Sequence, residues 1–66
     1  MRVVINGSAR PVDEDATLAA VLTEFGVPER GVAVAVDGTV VPRASWAATE
    51  LHDGAAVEVL TAVQGG

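Results

Sequence analysis

The sequence predicts an α+β fold in which a mixed sheet packs against one helix. Three observations indicate it. Asn-Gly and Asp-Gly pairs at residues 6–7 and 37–38, strong signals for two-residue hairpins, each join two short runs rich in β-branched residues. One helical stripe lies between the two hairpins. A last run rich in valine, residues 55–63, follows a further Asp-Gly turn.

The first hairpin is predicted from residues 2–6 and 8–12, joined by Asn6-Gly7. A type I′ turn needs positive φ at both of its central residues, and Asn and Gly tolerate that conformation best. Pro11 has no N–H to donate to a sheet, so its strand is expected at an edge.

The helix is predicted from apolar residues that recur at i, i+3, i+4 and i+7 and so share one face. They are Leu18, Val21, Leu22 and Phe25. Asp15 or Thr17 is the candidate N-cap. Gly26 follows the last apolar position and is expected just beyond the helix end, where a positive φ favours glycine.

The second half of the chain supplies three more strands. Residues 32–36 and 39–41 form the second hairpin, residues 43–49 a short helical or 3₁₀ turn, and residues 55–63 the last strand. A single helix buries its stripe against one face of a sheet, and the first and last strands pair most simply side by side and parallel beneath it. This is the β-grasp (ubiquitin-like) arrangement, predicted as one domain over residues 1–63 with a flexible Gly-Gly tail at 64–66.

Alternation along the strands assigns the two faces of the sheet. Glu58 is charged and is expected to face solvent, so Val57 and Val59 face the helix and Leu60 shares the outer face with Glu58. The same rule places Val4 and Ala35 on the outer face. An apolar strip on an otherwise polar face can mark a partner site, so Val4, Glu58 and Leu60 are predicted to bind partners.

Composition excludes several classes of function. The chain has 66 residues, no cysteine, one histidine and a net charge of −5. This rules out thiol chemistry and zinc-finger binding, and neither a metal nor a cofactor of its own is expected. The charge argues against nucleic acid and anionic membranes as partners. No targeting or membrane-spanning segment is evident, which predicts a cytoplasmic protein, and His52 has no nucleophile arranged beside it.

The last four residues, Val63-Gln64-Gly65-Gly66, are the strongest candidates for chemistry. Glycine has no Cβ, so its backbone fits a channel too narrow for other residues. Extended, these residues span about 13–14 Å, enough to carry the carboxylate of Gly66 into another protein's active site. A carboxylate resists nucleophiles, but an ATP-dependent partner could convert it to an acyl-adenylate. Val63 and Gln64 are predicted partner contacts at the base of this tail.

The sequence resembles the ThiS family, the ubiquitin-like sulfur carrier proteins of thiamine (thiazole) biosynthesis. The likeness covers nearly the whole chain, and its most discriminating part is VPRASW at 41–46, with the terminal Gly65-Gly66. It implies that an E1-like adenylating enzyme, using Mg and ATP, activates Gly66. A sulfur donor enzyme then yields a thiocarboxylate, and thiazole synthase receives the sulfur. The chain itself would bind no cofactor and would be a co-substrate rather than an enzyme.

Three alternatives remain open. The small subunit of molybdopterin synthase has the same fold and tail, although such chains are usually longer. A ubiquitin-like protein modifier would form an amide with a lysine of a target protein. This chain has no lysine, so it could not form lysine-linked chains on itself, although it could still label other proteins. A plain interaction domain would use no chemistry at its tail.

Overall fold

The computed structural model describes residues 1–61, and residues 62–66 lie outside it. Along the chain the elements are β1 Arg2–Ile5, β2 Ser8–Pro11, α1 Leu18–Glu24, β3 Val32–Val36, β4 Thr39–Val40, a 3₁₀ helix Arg43–Ala48 and β5 Ala56–Thr61. The five-stranded sheet has the order β2-β1-β5-β3-β4. β1 and β5 are parallel, and the other neighbouring strands are antiparallel. The predicted β-grasp fold is confirmed, while the predicted domain boundary at residue 63 falls outside the described residues.

Both predicted hairpins are present with the expected turns. Asn6 and Asp37 have φ of 48° and 51°, and the glycines after them have φ of 84° and 86°. Positive φ at both central residues is the type I′ signature, whose twist matches that of the strands. β2 lies at the edge of the sheet, so the N–H that Pro11 lacks removes no hydrogen bond between strands.

The helix begins and ends as its sequence indicates. Thr17 is the N-cap, and its hydroxyl accepts from the Ala20 N–H at 3.2 Å. At the other end Gly26 has φ of 74°. The Gly26 N–H donates to the Thr23 carbonyl at 3.1 Å, and the Val27 N–H donates to the Leu22 carbonyl at 2.8 Å. These two bonds form a Schellman motif, which satisfies the last helical carbonyls and turns the chain toward β3.

The core lies between α1, the 3₁₀ helix and one face of the sheet. Its buried residues are Val3, Leu18, Val21, Leu22, Val34, Trp46, Leu51, Ala55 and Val57. Trp46 is 6% exposed, and its Nε1–H donates to the Val41 carbonyl at 2.9 Å. The indole therefore closes the side of the core that the single α-helix leaves open.

Candidate partner-docking face

The sheet face opposite α1 is open to solvent, and we call it the outer face. Along β5, Val57 is fully buried and Val59 half-buried, whereas Glu58 and Leu60 are exposed. Leu60 is 69% exposed, an unusual value for so large an apolar side chain in a central strand. The alternation predicted from Glu58 is thus present in the structure, and the docking role of this face stays a prediction.

Strand register brings residues from β1, β5 and β3 together on the outer face. Leu60 lies opposite Ala33, Glu58 opposite Ala35, and Ala56 opposite Val4. Val4 is only half-buried, so part of its side chain is available for contact. The result is a shallow surface of small and medium apolar side chains with one carboxylate, Glu58, at its middle strand.

Val40 extends this surface and was not predicted from the sequence to be a partner contact. It lies opposite Ala35 in the antiparallel β3–β4 pair and is 68% exposed. Val40 and Leu60 are the large apolar side chains that stand most exposed within residues 1–61. The signal was available, because a two-residue turn at Asp37-Gly38 fixes the register and so places Val40 on the face of Ala35.

The carboxyl-terminal candidates Val63, Gln64, Gly65 and Gly66 all lie outside the described residues. Their roles therefore stay predictions. What the structure describes is the strand that leads to them. Because β1 and β5 are parallel, β5 runs past the Asn6-Gly7 turn and reaches Thr61 beyond the end of β1.

His52 is paired, which its sequence neighbours do not reveal. When the ring is protonated, its Nε2–H donates to Asp37 Oδ2 at 2.6 Å and its Nδ1–H donates to the Asp53 carbonyl at 2.9 Å. The bond to the Asp37 carboxylate is the main reason that the pKa of His52 is raised above its usual 6.5. The Ala56 N–H, which donates to Asp37 at 2.9 Å, is the main cause of the lowered pKa of Asp37, and His52 adds to it. The pair fastens the β3–β4 turn to the start of β5.

Residues 1–61 offer little for catalysis. A groove of about 350 Å³ lies between the first hairpin and the end of α1, lined by Ile5, Asn6, Ser8, Arg10, Phe25, Val27 and Val59. The Arg10 guanidinium lies over the Phe25 ring, 5.6 Å from its centre. Among these side chains none pairs a nucleophile with a base. Within the same residues no cluster of metal-ligating side chains is found, and no helix is long and apolar enough to cross a membrane.

These features define a class: a small β-grasp protein with one open, partly apolar sheet face. Comparison with known proteins narrows it. Residues 3–66 match the sequence model of the ThiS family, so the chain belongs to that family, the sulfur carriers of thiamine biosynthesis. The resemblance inferred from the sequence is confirmed.

Solved structures agree with this assignment. The chain superposes with a TM-score of 0.84 on the crystal structure of the thiamine biosynthesis protein ThiS from Geobacter metallireducens, at 33% identity over all of both chains. With an NMR solution structure of a thiamine biosynthesis protein from the same organism the TM-score is 0.77, at 33% identity over all of this chain and 88% of that one.

A curated relative is much longer. A thiazole synthase from Paramagnetospirillum magneticum is 38% identical over 66 residues, which are all of this chain and 20% of that protein. The chain thus spans a fifth of the curated relative that it matches.

Proposed function

We propose that this chain carries sulfur as a thiocarboxylate on Gly66 and delivers it for formation of the thiazole ring. One observation carries the proposal: the match to a family of sulfur carriers extends through residue 66 and so includes both final glycines. The open outer face beside the strand that leads to them supports it, because a carrier must dock on the enzymes that load and unload it.

The chemistry requires activation by a partner. A carboxylate oxygen of Gly66 attacks the α-phosphorus of Mg-bound ATP, and pyrophosphate leaves. Hydrosulfide supplied by a sulfur donor enzyme then attacks the acyl carbon, and AMP leaves with the electron pair of the C–O bond. Loss of the S–H proton leaves the thiocarboxylate on Gly66. ATP and Mg belong to an E1-like adenylating enzyme, while this chain binds neither and acts as its co-substrate. Because the cycle consumes ATP, we place it in the cytoplasm.

The outer face supplies the docking surface in this proposal. Leu60 on the central strand β5 and Val40 on the edge strand β4 are its exposed apolar contacts, and Val4 extends it toward β2. Glu58 places a negative charge among them on a chain whose net charge is −5. A complementary partner surface is therefore apolar and carries a basic group placed to meet Glu58. Thiazole synthase, the name of the longer relative, is the proposed acceptor.

Deletion of Gly66 tests the proposal. The truncated chain should fold as the full chain does, since the core lies within residues 1–61. It should support no ATP–pyrophosphate exchange by the adenylating enzyme, because no carboxylate then reaches the nucleotide. It should still dock, and so inhibit exchange with the full-length carrier competitively. Full exchange by the truncated chain would contradict the proposal.

Mass spectrometry separates a carrier from a modifier. After incubation with the adenylating enzyme, ATP and a sulfur donor, a carrier gains the mass difference between sulfur and oxygen. A protein modifier would instead form adducts the size of a target protein. Formation of such adducts without the sulfur product would refute the carrier assignment.

A further inference from the structure

Asn6 does more than form a turn: it continues the pairing between β1 and β5. In a parallel pair, a residue donates its N–H to one partner residue and accepts at its C=O from the residue two further along. The Val4 N–H donates to the Ala55 carbonyl at 2.8 Å, and the Asn6 N–H donates to the Val57 carbonyl at 2.9 Å. A continued strand would next offer the main-chain carbonyl of residue 6 to the Val59 N–H. The chain turns away instead, with φ of 48° at Asn6.

The Asn6 carboxamide takes over that position. The Val59 N–H donates to Asn6 Oδ1 at 2.8 Å, and Asn6 Nδ2 donates back to the Val59 carbonyl at 3.2 Å. One side chain thus satisfies both main-chain groups of Val59 on the edge of β5 that β1 has left. A type I′ turn does not itself demand this contact, since Gly or Asp would also provide the backbone conformation.

The other type I′ turn shows why the residue at position 6 is an amide. Asp37 occupies the equivalent place, and its carboxylate accepts from the Ala56 N–H at 2.9 Å and from His52. Both of those partners are donors, so two acceptor oxygens suffice. Val59 presents a donor and an acceptor together, and only an amide answers both. The two turns therefore hold β5 at two points, Asp37 near its start and Asn6 toward its end.

The contact at Val59 lies where β5 has a single neighbouring strand. Beyond Val57, β3 pairs with β5 as far as Thr61, but β1 has ended. Of the hydrogen bonds within residues 1–61, those of the Asn6 side chain join this stretch of β5 to the β1 side. A strand bonded along one edge is free to twist about that edge, and a second point of attachment removes this freedom.

We propose that Asn6 is a positioning residue for the reaction at Gly66. Its carboxamide fixes β5 at Val59 and so sets the orientation of β5 as far as Thr61, the strand from which the chain presents Gly66 to the adenylating enzyme. The inference rests on the proposed function, since it assigns a role in that reaction. Asn6 itself touches neither nucleotide nor reacting carbonyl; it acts through β5.

Asn6→Gly tests the inference, because glycine keeps the turn and removes both bonds to Val59. Asp37→Gly is the matched control: it makes the same change at the same place in the other type I′ turn and releases β5 near its start. A second variant, Asn6→Asp, keeps an acceptor for the Val59 N–H but sets a carboxylate oxygen against the Val59 carbonyl. Circular dichroism establishes a temperature at which all chains are folded.

Amide hydrogen exchange and ATP–pyrophosphate exchange are then measured on the wild type and the three variants. In the isolated carrier, amide hydrogen exchange at Val59 should quicken about fivefold to tenfold in Asn6→Gly, as expected for loss of one hydrogen bond, and stay unchanged in Asp37→Gly. In ATP–pyrophosphate exchange, kcat should fall about tenfold or more in both Asn6 variants, since small misplacements of reacting groups are costly. KM for the carrier should stay within about twofold in every variant, because the outer face is unaltered, and kcat should hold in Asp37→Gly.

The outcomes are distinguishable. Unchanged exchange at Val59 in Asn6→Gly would overturn the attachment itself. Three results would overturn the positioning role and leave the proposed function standing. They are faster amide hydrogen exchange at Val59 with an undiminished kcat, a rise in KM alone, and an equal loss of kcat in Asp37→Gly. A wild-type chain that supports no pyrophosphate exchange would overturn the proposed function, and the inference with it.

Discussion

Truncating Val57 and Leu60, which lie on opposite faces of one strand, should separate stability from partner binding. Val57→Ala removes two carbons from a side chain that is 0% exposed. At about 0.8 kcal/mol per buried carbon this costs about 1.6 kcal/mol, and the cavity left behind raises the loss to about 2–3 kcal/mol. Leu60→Ala removes three carbons, but the side chain is 69% exposed. About a third of the transfer energy is then at stake, about 0.7 kcal/mol, and no cavity forms.

Thermal unfolding followed by circular dichroism resolves this difference. In a domain of this size, 1 kcal/mol moves the melting temperature by about 4–8 °C. We therefore expect Val57→Ala to melt about 10–20 °C below the wild-type protein, and Leu60→Ala about 3–6 °C below it. The total stability of a domain of 66 residues is about 3–10 kcal/mol. Leu60→Ala therefore keeps most of it, whereas Val57→Ala is assayed at a temperature at which circular dichroism shows it folded.

Binding to the adenylating enzyme should reverse the order of the two variants. Loss of an apolar contact at the centre of an interface commonly costs more than 1 kcal/mol, so Leu60→Ala should bind about 5- to 30-fold more weakly. Val57→Ala, assayed well below its melting temperature, should bind as the wild type does. Equal losses of stability in the two variants would show that the two faces of β5 have been assigned wrongly. Unimpaired binding by Leu60→Ala would remove this residue from the docking surface.

Three further outcomes are expected. Association with the adenylating enzyme should slow as salt rises, since the range of an exposed charge falls from ~30 Å at 0.01 M to ~8 Å at 0.15 M. Glu58→Arg should make the association rate depend less on salt. A stopped-flow association rate that does not change with salt would refute electrostatic steering. The His52–Asp37 pair should stabilise the wild type over His52→Gln chiefly between the usual pKa values of 3.8 and 6.5. The raised pKa of His52 makes its contribution fade as pH rises through that pKa, and the lowered pKa of Asp37 makes its contribution fade as pH falls below 3.8. Melting temperatures across pH would show this, and a difference that persists unchanged at pH 9 would contradict it. Gly26→Ala should cost about 1–2 kcal/mol in urea unfolding, because alanine is strained at φ of 74° although no atom lies within 4 Å of its added Cβ; an unchanged midpoint would contradict the helix-end assignment.

Local signals in the sequence determine most of the fold. The turn at Asn6-Gly7 follows from the positive φ that these residues tolerate, and the faces of β5 follow from a single charge, Glu58, in an alternating strand. The parallel pairing of the first and last strands followed from the need to cover one helical stripe with one sheet. These features depend on neighbouring residues or on a period of two, so the chain itself displays them.

Contacts between distant residues could not be read in the same way. His52 and Asp37 are 15 residues apart, and Asn6 and Val59 are 53 apart. Each contact depends on how the turns stack against β5 and on the rotamer of one polar side chain. Both Asn6 and Asp37 were adequately explained by their turns, so nothing in the sequence indicated a second role. Val40 differs, since hairpin register alone would have placed it on the outer face.

The position of β5 also bears on how the chain folds as it is made. Within residues 1–61, β5 is synthesised after the other elements, yet it occupies the centre of the sheet, between β1 and β3. A ribosome adding about 5–20 residues per second therefore releases two hairpins that have no strand between them. An isolated hairpin is at best marginally stable in water, so the nascent chain has little to gain from folding early. Folding waits for β5, and a copy that stalls before Thr61 remains open to proteolysis. Among residues 1–61 the native state is therefore reached only once the strand nearest the final glycines has been made.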